Sequence, residues 1–134
     1  MAVKLRYHDR RFRRVVRGSV ADGLRRAGKL YRDECRRVVG RENPGNRPSR
    51  PGEPPRKRTG TGQANIVFEE NRDVPAVRVG VTREALHMID LELGTRRVRP
   101  RPWLLPTLIA QRAAIGRLAA SGRLGGADKA GESP

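Results

Sequence analysis

The chain has few of the residues on which disulfide-bonded, zinc-binding or membrane-spanning proteins depend. Its single cysteine excludes an internal disulfide, and no spacing of cysteine and histidine predicts a zinc site. No apolar run approaches the ~20 residues of a membrane-spanning helix. The N-terminal segment is rich in arginine but lacks the continuous apolar core of a secretory signal. We therefore expect a soluble protein without cofactor, metal or membrane contact, with a mitochondrial presequence as the less favoured alternative.

Aromatic residues are also scarce, so the hydrophobic core of this chain must be thin. A chain of 134 residues is expected to form a single domain, here 1–134. Small domains bury a smaller fraction of their surface and often gain stability by association, which favours a subunit over a free-standing enzyme. The five aromatic residues are Tyr7, Phe12, Tyr31, Phe68 and Trp103.

Positive charge is abundant and unevenly distributed. The net charge is +16, with +10 in residues 1–41, +3 in 42–63, −3 in 64–95 and +6 in 96–134. The basic residues comprise 26 arginines and only four lysines. Arginine-rich surfaces attract phosphate backbones, which indicates contact with a polyanion. The alternative is a genome-wide codon bias towards arginine, with the guanidinium groups simply solvated.

Apolar residues recur every three or four positions from 8 to 40, which predicts one long helix with arginines on its opposite face. Gly18 is its weakest point, because glycine costs roughly 1 kcal/mol in a helix interior. Gly18 and Ser19 could instead end one helix and begin another. Gly40 is a favourable stop. The predicted buried stripe is Phe12, Val15, Val16, Val20, Leu24, Ala27, Tyr31, Cys35 and Val38.

Proline and glycine are concentrated in residues 43–63, which predicts a long loop. Three strands are expected to follow, at 65–69, 75–81 and 85–93, with a helical start at 83–89 as the alternative for the third. An antiparallel meander covered on one face by the long helix accounts for this pattern. In the second strand the residues that share one face are Val77, Val79 and Val81.

A C-terminal helix over 102–120 completes the predicted α+β fold, in which the long N-terminal helix packs on a small antiparallel β-sheet. A loose tail is expected at 121–134. Gly94 suits a turn with positive φ before this helix, and Pro102 fits a first helical turn. Trp103 is expected to pack in the core or between subunits, with base stacking as the alternative. The predicted buried stripe of the helix is Leu104, Leu108, Ile115 and Leu118.

No combination of residues predicts a catalytic, cofactor or metal site. Asp90 and Glu92 are two apart on a predicted strand and so share a face. Ion pairs with arginines are favoured over acid–base chemistry for this pair, because nothing nearby indicates a substrate cleft. His8 and His87 are expected to be solvated. Cys35 lies on the apolar stripe, where a thiol behaves as a small hydrophobe.

Two blocks of residues are more specific than the composition. One is Leu91-Glu92-Leu93-Gly94-Thr95, followed by Arg101-Pro102-Trp103-Leu104 and Pro106; the other is Ser49-Arg50-Pro51-Gly52-Glu53-Pro54-Pro55-Arg56, followed by Thr59-Gly60. Together they resemble the head–tail joining or tail-completion proteins of the neck of long-tailed phages, over about residues 8–120. That family has a Glu-apolar-Gly-Thr run, then Arg-Pro-aromatic-Leu, and a Pro-Gly-Glu-Pro-Pro loop. The chain departs from it at 86–89, where the family has Tyr-Ala, and at Thr61-Gly62.

The resemblance implies a non-enzymatic structural virion protein, assembled in the cytoplasm of a bacterial host and located in the neck. Copies would form a homo-oligomeric ring, expected to be a hexamer, around the DNA path. The ring would join the portal or its adaptor to tail terminator or tail tube proteins, in a phage or a gene transfer particle. The alternative is a basic nucleic-acid-binding module whose first helix follows phosphates.

The resemblance also implies which residues make contacts. Those expected at the subunit interface or in its packing are Glu92, Gly94, Thr95, Arg101, Pro102 and Trp103. Those expected to reach a partner from the loop are Pro51, Gly52, Glu53, Arg56, Lys57 and Arg58. Strand carboxylates are predicted to face basic residues across subunits, and some arginines are predicted to line a DNA channel. These carboxylates are Glu69, Glu70, Asp90 and Glu92.

Overall fold

A computed structural model describes residues 9–45, 47–71 and 73–122, without the side chains of residues 9–17. The expected arm at 1–6, His8 and all but the first two residues of the expected tail lie outside these ranges. The predicted α+β class is confirmed. In chain order the elements are α1 (Asp9–Val39), α2 (Thr61–Ala64), β1 (Ile66–Asn71), β2 (Ala76–Val81), a 3₁₀ turn (Arg83–Ala85), α3 (His87–Leu93) and α4 (Leu105–Ala120).

The helix α1 is continuous over 31 residues and ends before Gly40, as predicted. Val20 is wrongly predicted to be buried, because Ser19 and Gly23 are buried at this level of the helix whereas Val20 is exposed; Phe12, Val15 and Val16 of the predicted stripe lie outside the described side chains. A Cβ on Gly23 would collide with the backbone oxygen of Ala119 in α4. Small residues on this face therefore let α1 and α4 pack at very close range, and the larger Val20 is turned away from the contact.

The sheet is a two-stranded antiparallel hairpin of β1 and β2, with Ile66 opposite Val81 and Asn71 opposite Ala76. The predicted third strand is wrong, since residues 87–93 form α3. Met88 is buried and Leu91 is partly buried three positions later, a spacing that points both side chains to the core from a helix. The apolar residues of this segment fit either period, and the helical alternative holds for residues 87–93.

The hydrophobic core lies where the end of α1, the sheet, α3 and the start of α4 meet. Trp103 is fully buried at its centre, and its indole Nε1 donates a hydrogen bond to the carbonyl of Met88 at 2.9 Å. Of the two positions expected for Trp103, the core or a contact between subunits, the structure shows the core. The buried core residues are Cys35, Val39, Ile66, Ala85, Met88 and Trp103.

The helix α4 begins at Leu105, three residues later than predicted, so Pro102 precedes it rather than forming its first turn. Leu108 is wrongly predicted to be buried, and Thr107 takes the inward position instead. In this buried position the Thr107 hydroxyl donates a hydrogen bond to the carbonyl oxygen of Trp103 at 2.6 Å. Among the helices of the described ranges, none combines the length and apolar character needed to cross a membrane.

Candidate functional site: the junction of the two loops

Glu92 connects α3 to the beginning of α4. Its carboxylate accepts hydrogen bonds from the backbone N–H groups of Trp103 at 2.6 Å, Leu104 at 2.8 Å and Leu105 at 3.0 Å. The first N–H groups of a helix have no partner within it, and a negative charge is favourable at that end of the helix dipole. Glu92 therefore caps α4 from a neighbouring helix and explains why α4 begins at Leu105.

A tight turn connects α3 to this cap. Gly94 has φ 78°, and a Cβ there would also meet the ring of Pro100, so both the backbone conformation and the space require glycine. Thr95 closes the turn, because its N–H donates to the carbonyl of Val98 at 2.8 Å and its hydroxyl oxygen accepts from the Val98 N–H at 3.1 Å. The predicted positive φ at Gly94 is confirmed.

The loop of residues 43–60 folds back onto this turn. The N–H of Gly52 donates to the carbonyl of Pro100 at 2.9 Å, and Gly52 has φ 88°. A local turn orients it, since the N–H of Glu53 donates to the carbonyl of Arg50 at 3.0 Å. Gly52 of one block is thus bonded to the residue that directly precedes Arg101 of the other block, and the two blocks, about fifty positions apart, meet at one junction.

Basic side chains crowd the outer surface of this junction. None of them makes an ion pair with an acidic group of the described residues, whereas Lys57 on the same loop lies 3.6 Å from Glu42. Unpaired guanidinium groups on adjacent loops create a positive potential suited to a polyanion. We call this set the basic loop surface, and it consists of the exposed residues Arg50, Arg56, Arg58, Arg96, Arg97 and Arg99.

A second surface lies where the end of α3 meets the start of α4. Leu93, Leu105 and Ile109 are each more than half exposed, and with their neighbours they line a shallow hollow of about 490 Å³. Contiguous exposed apolar side chains of this size mark interaction sites in soluble proteins. We call it the apolar face, and it consists of Leu93, Pro102, Leu105, Pro106, Ile109 and Ala110.

Several residues predicted to make subunit contacts have their side chains engaged inside the chain. Trp103 is fully buried, and the Glu92 carboxylate is engaged by three N–H groups, so both hold the corner together. Glu70 forms an ion pair with Arg25 at 2.5 Å, within one chain. The expectation that Asp90 and Glu92 share a face is wrong, because two positions on a helix differ by about 200°.

Sequence reasoning missed the apolar face. A signal was present, since Leu105 and Ile109 are four positions apart, the spacing of a second stripe beside the inner one. A helix that is apolar on more than one side is normally covered on more than one side. The predicted buried stripe of Leu104, Leu108, Ile115 and Leu118 includes neither Leu105 nor Ile109.

The titratable groups near the core indicate structural roles. Burial raises the pKa of the Cys35 thiol to about 12, so it is neutral at physiological pH and a poor nucleophile. The Tyr31 hydroxyl donates to the carbonyl of Leu104 at 2.6 Å, and burial raises its pKa well above the usual range. In the described part of the chain, no group of three or more His, Cys, Asp or Glu residues could hold a metal ion.

No protein-family model, curated protein or solved structure matches this chain. The similarity to phage neck proteins therefore depends on the two blocks of residues alone. What the molecule adds is their proximity: both blocks contribute to one junction, flanked by the basic loop surface and the apolar face.

Proposed function

We propose that this protein is a structural component of the neck of a phage or phage-like particle. Copies form a ring around the DNA path and join the head, through its portal or adaptor, to the tail. The observation that carries the proposal is the hydrogen bond from Gly52 of one block to Pro100, the residue directly before Arg101 of the other block, which brings the two blocks close together.

The apolar face supports a role as a subunit. Burial of a fully exposed leucine or isoleucine contributes roughly 1.5–3 kcal/mol, and these side chains are 56–73% exposed, so a neighbour that covers them gains a corresponding part of that free energy for each. Leu93 at the end of α3 and Leu105 and Ile109 of α4 are exposed next to the buried Trp103. A rigid corner that carries uncovered apolar side chains is suited to pack against a second copy or an adjoining neck protein.

The basic loop surface is suited to face DNA within such a ring. Its arginines lack acidic partners among the described residues, and each can approach a phosphate without first breaking an ion pair. A ring that surrounds DNA needs weak, sequence-independent attraction at its lumen. The same surface is the observation that favours the second candidate, a free nucleic-acid-binding module.

The apolar face provides a direct test of the proposal. Leu105→Ser removes a side chain that is 57% exposed on this face, and Leu86→Ser removes one that is 58% exposed elsewhere and serves as the matched control. We expect particles made with Leu105→Ser as their sole copy of the protein to show at least a tenfold loss of heads joined to tails by electron microscopy. Leu86→Ser should join normally. Heads and tails that join in a strain lacking the protein altogether would refute the proposal.

DNA affinity distinguishes the two candidate functions. A neck subunit presents only part of the lumen, so the isolated protein should bind duplex DNA weakly at physiological salt. A dedicated module would bind tightly, with an affinity that falls steeply as salt rises. A gel-shift series over salt concentration measures how steeply the DNA affinity depends on salt. If the protein is a dedicated nucleic-acid-binding module, the double variant Arg56→Gln plus Arg58→Gln should reduce the slope of affinity against salt concentration.

A further inference from the structure

The solvent-facing side of α4 is apolar along its whole length. Five of its exposed residues follow one another at steps of three or four positions, so they lie in one row on the helix. None of the five is charged, although 33% of the residues in this chain are charged. A helix that packs one side against its own chain and carries a second apolar side is normally covered on both. We call this row the outer stripe, and it consists of Leu105, Ile109, Ala113, Gly116 and Ala120.

The outer stripe is wide at its beginning and narrow at its end. Leu105 and Ile109 are 57% and 56% exposed and line the hollow of the apolar face. The second half contains only small residues, and a Cβ on Gly116 would meet no atom within 4 Å. Glycine weakens a helix interior, and no contact among the described residues requires it here, in contrast to Gly23. Gly116 therefore leaves a recess on the surface that a side chain of another molecule can enter.

An antiparallel pairing of two copies of α4 places each wide half against a narrow half. Ile109 of one copy then faces Gly116 of the second copy. Leu105 likewise faces Ala120, and Ala113 lies near the two-fold axis. A parallel pairing would set leucine against leucine and glycine against glycine, which leaves a void that close-packed interfaces avoid. The outer stripe is therefore complementary to itself in the antiparallel sense, the property that a two-fold contact requires.

The charges beside the outer stripe support the same orientation. Among the residues that line the hollow beside Leu105, Glu92 is the only charged one. Arg117 is exposed beside the narrow half of the stripe. Antiparallel pairing brings Arg117 of one copy to the hollow of the second copy, where the Glu92 carboxylate has lone pairs left after it accepts three N–H bonds. This ion pair would occur twice in a two-fold dimer, once at each end of the contact.

We propose that α4 packs against α4 of a second copy about a two-fold axis near Ala113, with Ile109 packed on Gly116 and Arg117 paired with Glu92. A contact made by one helix and the end of α3 is small, so the dimer is a reversible one. The inference goes beyond the proposed function, because it describes the free protein. The dimer covers the apolar face, and it has to separate when that face contacts a neighbour in the neck.

Sedimentation equilibrium of the full-length protein over roughly 1 µM to 0.5 mM tests the contact. We expect a reversible equilibrium between monomer and dimer. Gly116→Leu fills the recess and should weaken the dimer at least about tenfold, while leucine favours the helix and leaves folding intact. Gly18→Leu is the matched control, since Gly18 is likewise exposed on a helix with open space around it. It should change the dissociation constant by less than about twofold.

Charge reversal tests the two-fold axis. Arg112 is exposed on the flank of the outer stripe, next to Ala113, and so approaches the same residue of the second copy. Arg112→Glu mixed with the unmodified protein should therefore form a heterodimer about fivefold tighter than the unmodified homodimer. Titration of a fluorescently labelled copy with each unlabelled protein measures the dissociation constants.

The matched control for the axis is Arg117→Glu, which also reverses the direction test. Arg117 faces Glu92 rather than itself in an antiparallel pair, so its mixed dimer should be no tighter than the unmodified homodimer. In a parallel pair Arg117 would face its own counterpart, and the mixture would be preferred as it is for Arg112→Glu.

Three results would overturn the proposal. One is a monomer at every concentration, which would leave the outer stripe to a different protein. The second is a dimer that Gly116→Leu does not weaken. The third is a preference for mixed dimers with Arg117→Glu.

The outcomes separate this contact from the neck role. If Leu105→Ser abolishes head–tail joining while the free protein stays monomeric, the neck role stands and the dimer is wrong. If the dimer forms as described but heads and tails join in a strain lacking the protein, the dimer stands and the neck role is wrong.

Discussion

The two sides of α4 differ sharply in how much of each is covered by the rest of the chain. On the inner side Thr107 is buried, Tyr31 bonds to the carbonyl of Leu104, and the Gln111 amide lies 3.4 Å from Glu34 of α1. On the outer side Leu105 and Ile109 have no covering neighbour in the described residues and remain more than half exposed. The inner side explains how the domain folds, and the outer side indicates where its stability can increase by association.

The largest expected effect lies at the inner corner, at Trp103. Trp103→Ala removes a fully buried ring and leaves the carbonyl of Met88 without its donor, so we expect a loss of about 3–5 kcal/mol in the free energy of unfolding. Urea denaturation measures this. Leu105→Ala on the outer side should change the same quantity by less than about 0.5 kcal/mol. Similar losses for the two variants would remove the distinction between the sides.

The cap supplied by Glu92 should have the next largest effect. Glu92→Gln keeps the shape of the side chain but removes the charge that three N–H groups share, and we expect a loss of about 2 kcal/mol by denaturant titration. Asp90→Asn, on the exposed side of the same helix, is the matched control and should be nearly neutral. Charge reversal at Glu92 would disturb the start of α4, so it is unsuitable as a test of contacts between subunits.

The close contact of α1 with α4 gives the smallest of these effects. Gly23→Ala places a methyl group against the backbone of Ala119 and Leu118 and should cost about 1–2 kcal/mol, because the helices must separate. Gly18→Ala, in open space on the same helix, should instead stabilise by about 0.5–1 kcal/mol. Thermal melts of the two variants should therefore shift in opposite directions. A gain at both positions would show that the helices pack less tightly than the structure indicates.

Sequence patterns predicted the elements whose signals are local. The continuous periodicity of α1, the stop before Gly40 and the turn at Gly94 are confirmed, because each follows from backbone preferences within a few residues. The prediction of a third strand is wrong, since Leu86, Met88, Leu91 and Leu93 match the period of a strand only in part and also fit a helix. The predicted buried stripe of α1 is wrong near Gly23, because the close approach of α4 at this position requires a small residue rather than an apolar one.

The sequence alone determined that this chain has a long basic helix, a proline-rich loop and a glycine turn before a single tryptophan. These follow from side-chain periodicity and from the backbone restrictions of glycine and proline. Only the tertiary structure decided that Glu92 caps α4, that the two loops share one junction and that Leu105 and Ile109 face outward. These facts depend on contacts between residues far apart in sequence, and no local preference encodes which partner a carboxylate or a leucine will meet.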